Sequence, residues 1–297
     1  MSKAPTIDAH VHLWDAARQD DILICAKNPQ LNGQATAEGI ERHLEHSPFS
    51  SAIIVQSAPN RDHCDWLVEQ AMGYPWVAGV VSWLDPQDDL ALEDVSRFAE
   101  NPLICGIRLM VNRLENPEGL LQEGSLRVLE RLGENEITIE VLARPDQLML
   151  VDRLASSVSA HMVLDHCGNP PANAATDQEW RDTITRLSQN PRLATKFSGL
   201  MEAFETPPVG RDLDPLLDFL MDSFGSKRLM AASNLPVINL TASASRWLDV
   251  LSDWMVRRGV SATENMEVWG GSATRWYPKT VHASQAVAEN SYREIQT

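Results

Sequence analysis

The sequence lacks any long apolar run, so none of its 297 residues is expected to lie in a membrane-spanning helix. Basic residues are outnumbered: 25 Lys and Arg against 41 Asp and Glu give a net charge of −16. That charge disfavours binding to nucleic acid or to an anionic membrane surface. The segment Met1–Pro5 has no apolar signal region and leads straight into a predicted strand. We therefore expect a cytoplasmic protein with no nucleic-acid or membrane partner.

Cysteine is scarce as well, with four residues that lie far apart and show no Cys-x-x-Cys spacing. This usage predicts free, buried thiols in a reducing compartment. Cys167 directly follows His166, but nothing in the local sequence indicates a thiol of low pKa. A nucleophilic role for Cys167 is therefore disfavoured.

A glycine-rich phosphate loop is also missing after the first predicted strand, which disfavours nucleotide binding, although an open, doubly wound sheet is the rival architecture. What the chain does have is a series of short segments that are apolar nearly throughout, each followed by a stretch of helical periodicity. Such segments are typical of parallel strands buried on both faces. The predicted strands are 6–12, 51–56, 77–84, 103–110, 137–142, 162–166, 193–198 and 228–233.

Eight strand-then-helix units predict a (β/α)8 TIM barrel, which is α/β in class. No Pro-, Gly- or Ser-rich linker divides the chain, so residues 1–297 are expected to form a single domain. A last helix over about 264–276 is expected, with a polar C-terminal tail from about 278. The long connection over residues 13–35 is of the kind that often forms a functional lid.

Two histidines lie one residue apart at the end of the first predicted strand, within Ile7–Trp14. Side chains at i and i+2 of a strand point the same way, so His10 and His12 are expected to project together. They either hold a metal, a carbonyl oxygen or a water in a pocket, or form a surface pair at a strand end. Three other histidines are expected on solvent-facing helix surfaces: His43, His46 and His63.

Polar side chains end several other predicted strands, and in a barrel the active site lies at the C-terminal ends of the strands. The residues at these ends are His10, His12, Arg108, His166, Lys196 and Asn234. Neutral imidazoles polarise a carbonyl or bind a divalent metal, and the Arg108 fork suits a carboxylate or carbonyl. The set therefore favours hydrolytic attack on a C=O group. A base is missing, because the amide of Asn234 only orients water.

Each of these residues also has a purely structural interpretation. Arg108 could pair with a loop carboxylate, and Lys196 could lie on the outer face of its strand. Asp165 alternates with His166, so it is expected to face outward and to be structural. Trp14 and Trp83 are candidates for binding substrate at a pocket, or for packing in the core or at the rim.

Six segments, in order along residues 6–277, resemble motifs of the amidohydrolase superfamily, in particular the lactonases of its amidohydrolase-2 branch. That branch includes sugar-lactone hydrolases and 2-pyrone-4,6-dicarboxylate lactonase. The segments are Asp8–Trp14, Gly106–Arg108, Val163–Pro170, Lys196–Leu200, Arg228–Val237 and Ala273–Tyr277.

The resemblance implies that His10, His12 and His166 surround a lactone carbonyl and that Arg108 binds the substrate. The general base of this family is an Asp in the eighth strand, and here that position is Asn234. The carbamylated lysine that other members carry in the fifth strand has no counterpart in residues 137–141, which disfavours a two-metal centre. Either no cofactor is required, or a single divalent metal such as zinc is held by the three histidines.

We therefore expect a hydrolase that opens a sugar-acid or dicarboxylate lactone by water attack, with turnover reduced by Asn234. Two alternatives remain open. One is a non-catalytic protein that binds a lactone or sugar acid, and the other is a metal-dependent decarboxylase of the same superfamily. The identity of the lactone and the oligomeric state are not defined by the sequence.

Overall fold

The computed structural model of the chain describes residues 5–15, 17, 28–31, 33–204 and 206–280. Eight parallel strands form one sheet in which each strand pairs with the next along the chain. The strands are β1 (Ile7–Val11), β2 (Ser51–Val55), β3 (Val77–Trp83), β4 (Ile104–Met110), β5 (Thr138–Leu142), β6 (Met162–Leu164), β7 (Leu193–Phe197) and β8 (Leu229–Ala231). The fold is a (β/α)8 barrel, as the sequence predicts.

Helices alternate with these strands and surround the sheet. They are α1 (Ala37–Glu45), α2 (Arg61–Met72), α3 (Ala91–Glu100), α4 (Glu123–Glu134), α5 (Leu148–Ser157), α6 (Gln178–Ser188), α7 (Asp214–Phe224), α8 (Ala244–Arg258), α9 (Ala262–Met266) and α10 (Ser272–Trp276). Side chains cap several of them; Asn60, for example, accepts a hydrogen bond from the His63 amide and so satisfies a free N–H of the first turn of α2.

The barrel closes where the first strand meets the chain just beyond β8. The Asn234 amide donates to the His10 carbonyl over 3.0 Å, and the His12 amide donates to the Leu235 carbonyl over 2.7 Å. The Ser233 amide donates to Asp8 Oδ1 over 2.9 Å. These bonds fix the position of Asn234 directly beside the two histidines of the first strand.

A small apolar cluster fills the barrel interior, separate from the larger core between strands and helices. The last helix, α10, covers the N-terminal end of the barrel. Its Trp276 ring N–H donates to the carbonyl of Lys227, which precedes β8. The neighbouring Tyr277 is fully buried inside the barrel. In the part of the chain that the structure describes, the polar site opens at the opposite, C-terminal end.

The predicted helix over 264–276 is interrupted by a π-helical turn between α9 and α10. In the predicted connection over 13–35, Trp14–Asp15 pairs with Gln34–Ala35. Residues 16, 18–27 and 32 of this connection, and the polar tail beyond 280, lie outside the described residues. Cys64, Cys105 and Cys167 are free and buried, as expected, and Cys25 lies outside the described residues.

Among the described residues, no helix is long and apolar enough to cross a membrane. That the whole chain forms a single domain stays a prediction.

Candidate active site

A cavity of about 550 Å³ opens at the C-terminal end of the barrel. Five of the side chains predicted to form the site line it: His12, His166, Arg108, Asn234 and Trp14. The other lining residues are Asn28, Ser57, Asn112, Arg113, Leu142, Asn169, Pro170, Gly199, Glu202, Ala203 and Val237. The volume falls within the range of small-molecule sites.

His10 and His12 face each other, with their Nε2 atoms 3.1 Å apart. His12 Nδ1 lies 2.7 Å from the Val55 carbonyl, which can only accept, so Nδ1 carries the ring proton and Nε2 of His12 accepts. His10 Nε2 must then donate to His12. The Nδ1 of His10 is left as an acceptor, which matches the ammonium of Lys196 at 3.1 Å. The neighbours of the pair therefore assign both tautomers.

Lys196 lies beneath the cavity and is fully buried, on the inner side of β7 rather than its outer face. Its ammonium donates to Glu140 Oε1, which also accepts from the hydroxyl of Tyr277. Burial raises the pKa of Glu140 to about 7, against the opposing effect of Lys196. A buried ion pair thus supports His10 from below, and Lys196 does not reach the cavity wall.

Asp165 points into the barrel, so the expectation that it faces outward is wrong. Its Oδ2 accepts from Arg108 Nε over 2.7 Å, while its Oδ1 lies 3.4 Å from His10 Nδ1 and 3.5 Å from Lys196 Nζ. Burial alone would raise the pKa of Asp165, but Arg108, Lys196 and His10 together hold it well below its ordinary value. The carboxylate is therefore ionised and orients Arg108, which lines the cavity and also donates to the Gln56 carbonyl over 3.1 Å.

The reason for this misassignment is a tight turn at the end of β6. The strand ends at Leu164, and His166 and Cys167 have φ of 51° and 52°. The left-handed backbone ends the alternation of faces and brings His166 into the cavity beside inward-facing Asp165. Gly199 packs against this turn, since a Cβ there would lie 2.6 Å from His166 Cβ.

His166 Nδ1 lies 2.9 Å from the hydroxyl of Ser198. A serine hydroxyl donates or accepts, so His166 Nε2 carries the ring proton when Ser198 donates. Burial lowers the pKa of His166 to about 4 and that of His12 to about 3, and burial beside Lys196 lowers the pKa of His10 well below its ordinary value. All three imidazoles are therefore neutral near pH 7.

Asn234 occupies the cavity wall with φ of 58° and donates from Nδ2 to Glu202 Oε1 over 2.8 Å. Within the described part of the chain, Asn234 Oδ1 and Glu202 Oε2 are buried and have no hydrogen-bond partner. Burial raises the pKa of Glu202 above its ordinary value. This wall therefore holds two unsatisfied acceptor oxygens on neighbouring side chains.

Sequence reasoning placed other groups less well. Trp83 is half-buried at the end of β3 and does not line the cavity. His63 was expected to be exposed, but it is buried and lies 3.3 Å from the hydroxyl of Ser57 on the cavity wall. His43 was expected to be solvated, but it lies 3.2 Å from Asp8 Oδ2. The sequence signal for Glu140 was its position as a lone acid in the apolar strand β5.

The residues fit a divalent metal under one condition. One ligand atom each from His10, Asp165 and His166 lies within 4.8 Å of the others, and nitrogen and carboxylate ligands suit zinc. His10 Nε2 becomes a ligand only if its proton moves to Nδ1, which would then donate a hydrogen bond to Asp165 Oδ1 in place of accepting one from Lys196. A metal site is thus compatible with these residues, with His12 as a further nitrogen beside it.

Comparison with known proteins identifies relatives over nearly the whole chain. A family model described as amidohydrolase matches residues 7–279. The L-fucono-1,5-lactonase of Burkholderia ambifaria is 25% identical and that of Burkholderia multivorans 28% identical, each over 91% of this chain and 94% and 95% of the relative, respectively.

Among solved structures, an amidohydrolase from Burkholderia multivorans with bound zinc superimposes with a TM-score of 0.84 at 27% identity. The match covers 93% of this chain and 99% of that one. The lactonase relatives and the family model agree that this protein is a hydrolase. The chain belongs to the amidohydrolase family.

Proposed function

We propose that the protein hydrolyses the lactone of a sugar acid, with a six-membered 1,5-lactone as the first substrate to test. The observation that carries the proposal is the cavity lining, in which a neutral imidazole, a guanidinium and two unsatisfied oxygens surround one space. The L-fucono-1,5-lactonase relatives support the same substrate class. A monosaccharide lactone also suits a cavity of about 550 Å³.

In this proposal His166 Nε2 and Arg108 donate to the lactone carbonyl oxygen. Water adds to the carbonyl carbon, and the developing oxyanion is stabilised by the same two groups. The ring C–O bond then breaks, the ring oxygen takes a proton, and the sugar acid forms.

His10 and His12 have a narrower role than the sequence predicts. His10 Nε2 donates to His12 Nε2, and the single ring proton of His12, on Nδ1, is donated to the Val55 carbonyl. Neither ring therefore donates to the substrate while this arrangement holds. The pair instead lies beneath the reacting group and joins it to Lys196 and Asp165.

A divalent ion held by His10, Asp165 and His166 would polarise the carbonyl as a Lewis acid. Participation of a metal, with zinc as the first candidate, is a proposal. The cytoplasmic location is also a proposal, and so is the reduced turnover attributed to Asn234.

The test is an assay of the purified protein and of the Asn234→Asp variant on a panel of sugar-acid 1,5- and 1,4-lactones and dicarboxylate lactones. We expect at least one lactone to be opened by the wild-type chain, measured as acid release. If neither form opens any lactone while other esters or amides are turned over, the proposal is wrong. Binding of a lactone without turnover, seen as a raised Tm, would instead favour the non-catalytic alternative.

A further inference from the structure

The cavity contains a carboxylate that the family resemblance did not assign. Glu202 follows β7, lines the cavity, and accepts from Asn234 Nδ2 over 2.8 Å. Asn234 stands where an acidic base is expected, and its amide cannot take a proton. A hydrolase without any base in this wall would lose a large part of its rate.

Two buried oxygens on this wall indicate where a water could bind. In the described part of the chain, Glu202 Oε2 and Asn234 Oδ1 both lie buried without a hydrogen-bond partner. Unsatisfied buried acceptors are costly, so such pairs are expected to receive hydrogen bonds from water or ligand. A water has two donor hydrogens, which matches two acceptor oxygens on adjacent side chains.

We propose that Glu202 is the general base of this hydrolase and that Asn234 positions both the carboxylate and the attacking water. This inference rests on the proposed lactone hydrolysis. Water donates one hydrogen to Glu202 Oε2 and the other to Asn234 Oδ1. As the water oxygen bonds to the carbonyl carbon, its first proton moves to Glu202, and that proton later passes to the ring oxygen when the ring C–O bond breaks.

The chemistry of the two side chains agrees with these roles. A base is most effective when its pKa lies nearer to the working pH, and burial raises the pKa of Glu202. His12 is a poorer base, since its Nε2 already accepts from His10 and its Nδ1 donates to the Val55 carbonyl. The hydrogen bond from Asn234 keeps one oxygen of Glu202 occupied and leaves the other for water.

The test exchanges the two functional groups. Glu202→Gln is expected to lower kcat by about 10² to 10⁴ with a small change in KM. In the double variant Glu202→Gln with Asn234→Asp, acid and amide have traded places, and kcat is expected to recover at least tenfold over the single variant. Thermal melting of each variant checks folding.

Chemical rescue gives a readout that a structural role would not change. Formate is expected to raise the turnover of Glu202→Ala in a concentration-dependent way and to leave the wild-type chain and Asn234→Ala unaffected. The inference is overturned if Glu202→Gln keeps more than a tenth of wild-type kcat, or if neither the exchange nor formate restores activity. If the wild-type chain opens no lactone, the proposed function itself fails, which is a distinct result.

Discussion

The ammonium of Lys196 lies 3.1 Å from His10 Nδ1 and donates to it, and both side chains are fully buried inside the barrel. The same ammonium pairs with Glu140, so one buried cation stabilises an acid and fixes a histidine tautomer. A buried charge that loses its partner is destabilising, whereas replacing both partners with neutral groups costs much less.

Lys196→Met should therefore lower the free energy of unfolding at pH 8, above the Glu140 pKa of about 7, by about 3 to 5 kcal/mol, because Glu140 is left buried without its cation. The double variant Lys196→Met with Glu140→Gln should be markedly more stable than Lys196→Met alone. Urea unfolding of the wild-type chain, both single variants and the double variant measures the coupling. Equal stability of Lys196→Met and the double variant would show that the pair does not interact in this way.

Gly199→Ala should reduce activity by displacing His166. Gly199 has φ of +69°, and an added Cβ would lie 2.6 Å from His166 Cβ and 2.9 Å from Cγ. Displacement of a reacting group by about 1 Å costs about 100-fold in rate, and we expect kcat/KM to fall by that order.

Gly210→Ala is the matched control for Gly199→Ala. Its φ is +58°, but no atom lies within 4 Å of the added Cβ. Both substitutions carry the cost of about 1 to 2 kcal/mol for a left-handed residue with a side chain. Only Gly199→Ala should lose activity, and a similar loss in both variants would assign the effect to backbone strain instead.

Acid should destabilise the fold between pH 6.5 and about 4. Burial lowers the pKa of His12 to about 3 and of His166 and His63 to about 4, below the ordinary 6.5. The unfolded chain binds protons first, so their stabilising contribution is present above pH 6.5 and is lost as the pH falls. Each histidine contributes up to about 1.4 kcal/mol per pH unit.

The contribution of Glu140 to stability has the opposite pH dependence. Its pKa is raised from 4.5 to about 7, so its contribution is present below pH 4.5 and is lost as the pH rises through 7. The buried histidines outnumber it, and the net effect should be loss of stability in acid. Urea unfolding at pH 7, 6 and 5 measures how steeply the free energy of unfolding falls with pH. His63→Phe should make this slope shallower. A flat profile in the wild-type chain would contradict the assignment of neutral buried histidines.

The strands were predictable from sequence because each is buried on both faces and is therefore an apolar run. Predicted and observed bounds agree within two residues, as for β2 at 51–56 against Ser51–Val55. The end of β6 shows the limit of this reasoning. His166 and Cys167 adopt left-handed backbone angles, which are uncommon in residues other than glycine and were not expected here, and so Asp165 was assigned to the wrong face.

Site residues near the C-terminal ends of strands were predictable from the sequence, whereas those in a loop or in the middle of a strand were not. Arg108 lies near the C-terminal end of β4, His166 and Asn234 lie just beyond the ends of β6 and β8, and all three line the cavity, as expected. Glu202 lies in the loop after β7, and only the closing of the barrel places it against Asn234. Glu140 is a lone acid within the apolar strand β5, but the sequence does not identify Lys196 and Tyr277 as its partners.

A crystal structure with the sugar acid released by hydrolysis tests the central claim most directly. The account predicts that the sugar-acid carboxylate lies in the cavity of about 550 Å³, with one oxygen within hydrogen-bond distance, about 3 Å, of His166 Nε2 and Arg108. It also predicts that the second oxygen faces Glu202 and Asn234. A sugar acid bound outside this cavity, or one whose carboxylate points away from both His166 and Arg108, would contradict the account.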